Sequence, residues 1–312
     1  NKLYKKFSDH IGLIPLVIVS PTDRNLIIEG SDTRRKFIDS IISQVNKDYL
    51  KDIIIYNKIL AQRNSLLKYF AKNNTFESNT IDVYDIQLSS MSKRIYESRT
   101  SFMNDFVPVF KNRYKTISEN NEEVDIVYKS DLNDSNLIDL LKNSIEKDLI
   151  LQYTSKGVHK DDLVFLKNDF SIKKFGSQGQ QKSFLIALKL AQFDFLEKQN
   201  TSPILLLDDI NRADDRILRG CMQLLQNFEL TSWKLPPKWQ IVATANPEGG
   251  DYSVTPMDGA MLTRMLHTTL KFNAKIWAEW ANSANVDQRG ISFVLTYPEL
   301  VNSDRTTPRS LT

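Results

Sequence analysis

The stretch Pro203-Ile204-Leu205-Leu206-Leu207-Asp208-Asp209 constrains the fold of this chain more than any other. Four consecutive apolar residues that end in two acids have the form of a central parallel strand, covered on both faces, with carboxylates at its C-terminal edge. One acid in that place can hold Mg²⁺ through a water while the next polarises an attacking water, the arrangement found in nucleotide hydrolases. The same two acids would also serve as a capping loop after any α/β strand. A helix over 178–199 precedes the stretch. A helix over 213–228, a strand over Gln240–Thr244, a Gly/Pro loop, a short helix over 258–264 and a strand over 266–270 follow it. This alternation predicts an α/β sheet.

The residues before 178 read differently. Leu16-Val17-Ile18-Val19 is a short β-branched run that stops at Ser20-Pro21, as a buried strand does. Ser31 then caps a helix whose apolar residues Phe37, Ile38, Ile41, Ile42 and Val45 keep helical spacing, and Leu50, Ile53, Ile54, Leu60 and Leu67 continue it. After an Asn/Ser-rich break the spacing resumes at Tyr84, Leu88, Met91, Ile95, Phe102 and Val109, so residues 31–117 form a helical lobe with a long antiparallel hairpin. Val124, Ile126 and Tyr128 alternate as a half-buried strand. A helix is expected over 134–149, and the runs 163–166 and 170–175 flank the turn Asn168-Asp169 as a hairpin.

Composition adds a seam. Residues 1–200 carry 23 Lys, 7 Arg, no Trp and 3 Pro; residues 201–312 carry 4 Lys, 7 Arg, all 4 Trp and 7 Pro. Lys and Arg are equally good helix formers of equal charge, so the change has no folding rationale and marks a change of domain or ancestry. The net charge of +3 supplies no global basic field for nucleic acid, which leaves only a local patch. Residues 1–75 hold 13 Lys/Arg against 7 Asp/Glu, and Arg34, Arg35 and Lys36 near a helix start are the candidate phosphate contacts; the alternative is that these arginines pair with carboxylates of the lobe. The lone Cys221 fits a reducing compartment, and His10, His159 and His267 are too scattered for a structural zinc site. The longest apolar run, Ile11 to Val19, is about half of a membrane span, and no signal-peptide pattern is present. The expectation is a soluble, cytoplasmic chain, and its start at Asn1 suggests a piece of something longer.

Phe175-Gly176-Ser177-Gln178-Gly179-Gln180-Gln181-Lys182-Ser183 nearly imitates a phosphate-binding P-loop, because Gly176, Lys182 and Ser183 have the right offsets. Gln181 stands where the second glycine must let phosphate approach the backbone, so the match fails. Read as a turn opening a helix, Ser177, Gly179 and the helix N-terminus form an anion site. Here a resemblance becomes specific. Gly176 to Gln181 resembles the ABC-type signature of the RecF family of DNA replication and repair ATPases. Matching motifs run in order from residue 15 to 210: Ser20-Pro21-Thr22-Asp23; Gly30-Ser31 with Arg34 to Asp39; Tyr56-Asn57 with Gln62-Arg63-Asn64; and Gly157-Val158-His159-Lys160-Asp161-Asp162. The resemblance implies a signature of Ser177, Gly179 and Gln180 that completes an ATP site on a partner subunit. It also implies Asp208, as the ligand of Mg through water, and Asp209 as the Walker B acids. ATP-driven homodimers on single-strand/double-strand DNA junctions, with RecF-type repair partners, follow from it too.

After Asp209 the chain instead resembles the MoxR-like branch of AAA+ ATPases, over residues 204–312. In that resemblance Asn246 orients the hydrolytic water, Arg264 reaches a neighbouring subunit of a hexamer, and Arg309 touches the γ-phosphate. The glutamate expected after Asp208 is Asp209, which shortens the water-polarising arm by one methylene. The implied organisation is an ATPase head portion (1–25 with 150–210), a helical lobe (26–149), an AAA+-like core portion (204–274) and the start of a helical lid (275–312). Together these make an α/β, P-loop NTPase-type fold joined at a shared Walker B strand. No Gly-x-x-x-x-Gly-Lys-Ser/Thr pattern occurs in the 312 residues, so this chain alone is expected neither to bind nor to hydrolyse ATP appreciably. A non-catalytic hybrid is the third reading.

Overall fold

The computed structural model describes residues 7–118, 121–199, 203–212, 225–230, 233–234, 241–246, 254–257, 259–263, 265–268, 272–284 and 286–301. Packing divides the chain into two units, residues 1–208 with 231–244 and residues 209–230 with 245–312.

In the first unit the apolar runs form a parallel sheet in the order β1 (Leu16–Val19), β5 (Ile204–Leu207), β6 (Ile241–Ala243). Val17 pairs with Leu205, and Leu205 with Ile241. Leu205 and Leu207 are buried, as a run flanked by strands on both sides requires. The outer edge of β1 is closed by side chains: Leu16 N donates to Gln44 Oε1 (2.7 Å), Gln44 Nε2 donates to the Leu16 carbonyl (3.3 Å), and Lys189 Nζ donates to the Ile18 carbonyl (2.7 Å). Capping the edge in this way denies it to a further strand.

The apolar spacing is carried by α2 (Ser31–Val45), α3 (Lys47–Asn73) and α4 (Ser78–Ile117), with α5 (Leu137–Leu151) after them. A short turn of helix α1 (Asn25–Ile28) precedes α2, however, Gly30 and not Ser31 is the N-cap of α2, and Asn46 divides the first run into two helices. Asn46 caps α3 by accepting from the Asp48 and Tyr49 amides, and Asn74 ends it in the left-handed region. Helix α4 has 40 residues, about 60 Å at the usual rise, and tolerates Pro108 on its exposed side. It packs on α7 (Gln178–Lys198) through Phe102 against Phe195 (ring centroids 4.9 Å apart) and Phe110 against Phe184 (4.7 Å). Such ring pairs contribute roughly 0.5–1.5 kcal/mol each beyond area burial.

A second, antiparallel sheet joins β2 (Val124–Lys129), β3 (Asp162–Lys167) and β4 (Phe170–Ser171). Asn168 and Asp169 both adopt positive φ, the two-residue turn their sequence signals. Two expectations need correction here. Residues 172–175 are a helical turn, α6 (Ile172–Phe175), and not strand, because Ile172 turns inward and the Gly176 amide closes onto its carbonyl. The helix expected at 134–149 is 137–151, since Asn136 is its cap.

In the second unit Ala274–Ser283 and Gln288–Thr296 are helices, capped by Asn273 and Asp287, that bury Ala278, Ala281 and Ile291 with Trp277 and Val286 against them. Trp280 on the first of these helices is 45% exposed. Gly259–Leu262 is the short helix expected at 258–264. Residues 266–268 form no strand, Leu266 is fully exposed, and His267 Nε2 donates to the Leu262 carbonyl (2.7 Å); residues 269–270 of the expected strand lie outside the described residues. Most of the helix expected at 213–228 lies outside the described residues.

Candidate functional site

The turn before α7 is exposed and fully capped. Ser177 Oγ accepts from the Gln180 amide (3.2 Å), and Gln180 Oε1 accepts from the Ser177 amide (2.8 Å), a reciprocal capping box. A Cβ on Gly176 would come within 2.6 Å of the Ile172 carbonyl, so this entry to the turn demands glycine. Beside Gly179 the space is open, the nearest atom to a would-be Cβ being Ser177 Oγ at 3.9 Å. An anion can therefore approach the first amides of α7, where the helix dipole favours negative charge. Gln181 folds its amide back onto the Gly176 carbonyl (3.1 Å), as befits a capped turn and not a phosphate-wrapping loop.

Asp208 follows β5 with both oxygens engaged: Oδ1 accepts from Thr244 Oγ1 (2.8 Å) and Oδ2 from Ser20 Oγ (3.2 Å). Ser20 is held in turn, its amide donating to Asp23 Oδ2 (2.9 Å), and buried Lys189 on α7 pairs with Asp23 Oδ1 (2.7 Å). One relay thus connects the helix carrying the signature-like turn to the acid at the end of β5. In the second unit Asp209 adopts positive φ, and Asn246 Nδ2 donates to Asp209 Oδ1 (3.0 Å), while Asn211 brackets the Asn246 backbone on both sides. Arg264 and Arg309 lie outside the described residues.

The basic residues near the start of α2 are not a free cluster. Arg34 makes a bidentate pair with Asp162 (2.8 and 3.1 Å) and also donates to the Leu26 and Glu29 carbonyls. Arg35 donates to the Asp161 carbonyl (2.7 Å). Both side chains are largely buried, whereas Lys36 is 76% exposed and pairs with Asp32. Both arginines are thus engaged within the molecule, Arg34 with a carboxylate of the 150–210 portion in place of a lobe carboxylate and Arg35 with a backbone carbonyl.

Several of the motif residues outside the turn, Asp39, Arg63, Asn64 and Asp161 among them, lie in buried polar clusters of the first unit. Arg63 binds Asp85 (2.6 Å), Asp148 (2.7 Å) and Thr154 Oγ1 (2.9 Å), and Asn64 accepts from the Thr154 amide and hydroxyl. Arg99 binds Asp39, Asp161 and the Val158 carbonyl, and Tyr128 donates to Asp161. Burial raises the Asp85 and Asp161 carboxyls above their ordinary values, an effect their arginines oppose. Arg99, Asp85 and Asp148 stand in none of the motifs legible in the sequence. Their one local signal is a charge on the apolar stripe of a predicted helix, and Arg99 shows it four residues after Ile95.

His159 Nε2 donates to the Thr154 carbonyl (2.9 Å), and in the neutral ring Nδ1 accepts from the Tyr56 hydroxyl (2.6 Å). Burial pushes its pKa down to about 4, with Lys160 and Arg35 adding to the effect. The unfolded chain, near the ordinary 6.5, binds the proton more readily. The stabilisation is therefore complete above about pH 6.5 and is lost as pH falls toward 4, by up to about 3 kcal/mol. Urea unfolding of the native protein and of His159→Asn at pH 7 and pH 5 should show a gap that narrows at the lower pH; a constant gap would refute the neutral, buried imidazole.

A parallel sheet with an acid ending its middle strand, a capped glycine turn opening the helix before that strand, and an inserted helical lobe are together the fold of an ABC-type ATPase head. The chain is 48% identical over 269 residues to the DNA replication and repair protein RecF of Bacteroides thetaiotaomicron, covering 85% of this chain and 72% of that protein. It belongs to the RecF family. The RecF protein of Flavobacterium johnsoniae is 57% identical over 211 residues, 67% of this chain and 59% of that protein, and the one from Azobacteroides pseudotrichonymphae is 49% identical over 62% of its length. The chain thus spans about three fifths of those two relatives. Among solved structures, the recombination mediator protein RecF-ATPrS in the RecFOR pathway superposes with a TM-score of 0.67 at 27% identity over 78% of this chain and 66% of that one. The RecF-ATP structure gives 0.64 over 77% and 64%. No protein-family model matches the chain. Among the described residues no helix is long and apolar enough to cross a membrane.

Proposed function

We propose that this chain acts as a RecF-type DNA-binding subunit of replication and recombinational repair, whose turn at Ser177, Gly179 and Gln180 faces the triphosphate of ATP held by a RecF-type partner subunit that supplies the phosphate-binding loop this chain lacks. The observation that carries this reading is the exposed, capped turn at the head of α7, linked through Lys189, Asp23 and Ser20 to Asp208. Asp208 would hold Mg through a water in that assembly. Of the basic trio, Lys36 alone keeps the exposure a DNA phosphate contact requires. The cytoplasm and single-strand/double-strand junctions belong to the same reading.

By itself the chain lacks the Gly-x-x-x-x-Gly-Lys-Ser/Thr cradle and does not retain Mg-ATP. Calorimetric titration of the purified protein should give no heat that fits a micromolar dissociation constant; a fit in that range overturns this half of the proposal. Fluorescence anisotropy should show tighter binding to gapped than to fully duplex DNA, weakening with salt, and a salt slope near zero would remove DNA from the reading.

A second reading rests on one contact, the Asn246 amide on Asp209, which is the relation a sensor residue of a MoxR-like AAA+ ATPase would have to a water-polarising acid. On that reading residues 204–312, with Arg264 and Arg309, derive from an AAA+ protein joined to the RecF-type part at β5. ATP-dependent hexamers would favour it over the first reading, and neither hexamers nor gapped-DNA preference would leave a non-catalytic hybrid.

A further inference from the structure

We propose that Glu122 is a positioning residue that ties the turn at 176–180 to the long helix α4. Glu122 lies between the end of α4 and β2. Its Oε1 accepts from Gln180 Nε2 (2.5 Å) and Lys167 Nζ (3.2 Å), and its Oε2 accepts from the Tyr114 hydroxyl on α4 (2.5 Å). A glutamine side chain can point either end of its amide at a partner, but a carboxylate only accepts. Glu122 therefore compels Gln180 to present Nε2 to it and Oε1 to the Ser177 amide, the one orientation that closes the capping box (2.8 Å). With the amide reversed, two donors would face each other at Ser177. The Tyr114 hydrogen bond is the largest cause holding the Glu122 carboxyl below its ordinary value, so the acceptor stays ionised near neutrality.

The consequence is mechanical. Tyr114 sits on the same 40-residue helix that lines the lobe and packs against α7 through Phe110 and Phe184. A displacement of α4 reaches the turn by two routes, one apolar along α7 and one polar through a single carboxylate. The meaning of this link for phosphate binding rests on the function proposed above, but the link itself does not.

Hydrogen–deuterium exchange of the intact chain tests it. In Glu122→Ala, loss of a charged acceptor should speed exchange across 176–183 on the order of tenfold, while peptides over 187–196 in the same helix keep their protection. Glu122→Gln retains a neutral acceptor and should fall between Glu122→Ala and the native protein, which also gives a variant with the native side-chain volume. Native exchange rates at 176–183 in both variants, or acceleration along all of α7, would overturn the assignment. Nucleotide enters neither arm, so a failed ATP or DNA experiment and a failure here are separately visible.

Discussion

Arg63→Ala is expected to destabilise the RecF-like part by about 3–5 kcal/mol, the cost of leaving buried charge without its partner. The Arg63 side chain is fully buried, as is Asp148, and Asp85 is nearly so. Truncation strands two carboxylates in a region whose burial already raises Asp85. Arg63→Lys should recover little, because one ammonium cannot reach Asp85, Asp148 and Thr154 along separate directions as the guanidinium does. Removing the whole group as Arg63→Met, Asp85→Asn, Asp148→Asn should cost much less than the single truncation, since uncompensated charge is the source of the penalty. Urea unfolding followed by far-ultraviolet dichroism measures all three, and a loss below about 1 kcal/mol for Arg63→Ala would mean that water replaces the guanidinium.

Gly157→Ala is expected to cost about 2–3 kcal/mol, the upper part of the range for a residue forced into a sparsely populated backbone conformation. Gly157 has φ +125°, and an added Cβ would stand 2.9 Å from the Tyr56 hydroxyl and 3.3 Å from His159 Nδ1. The substitution therefore strains the backbone and also presses on the Tyr56–His159 hydrogen bond. Tyr56→Phe removes the hydroxyl, so the double variant should lose less than the sum of the two single losses, while the backbone share persists. Strict additivity in that cycle would show that the methyl never meets the tyrosine.

The outcome for the matched motifs depends on particular residues. Strand β5 was legible because four apolar residues before two acids satisfy only a covered parallel strand. The helical hairpin was legible because its apolar stripe keeps period on both sides of the Asn/Ser-rich break, whereas the division at Asn46 into two helices did not show in that spacing. The turn at 177–180 was legible as a capping pattern, since a capping box joins residues three apart and needs no tertiary partner. Arg34 and Arg35 looked equally suited to DNA and to carboxylates. Their partners at 161 and 162 lie more than 120 residues along the chain, a distance at which residue type carries no geometric information.

Local physics therefore reaches the elements, their caps and the acid at the end of β5, because those depend on contacts between near neighbours. It reaches the family as well, through motifs kept in order along the chain. Which arginine meets which aspartate, and that Glu122 sets the amide of Gln180, were settled only when remote segments packed. A buried charge has no stable place except opposite its partner, and only the folded chain supplies that partner.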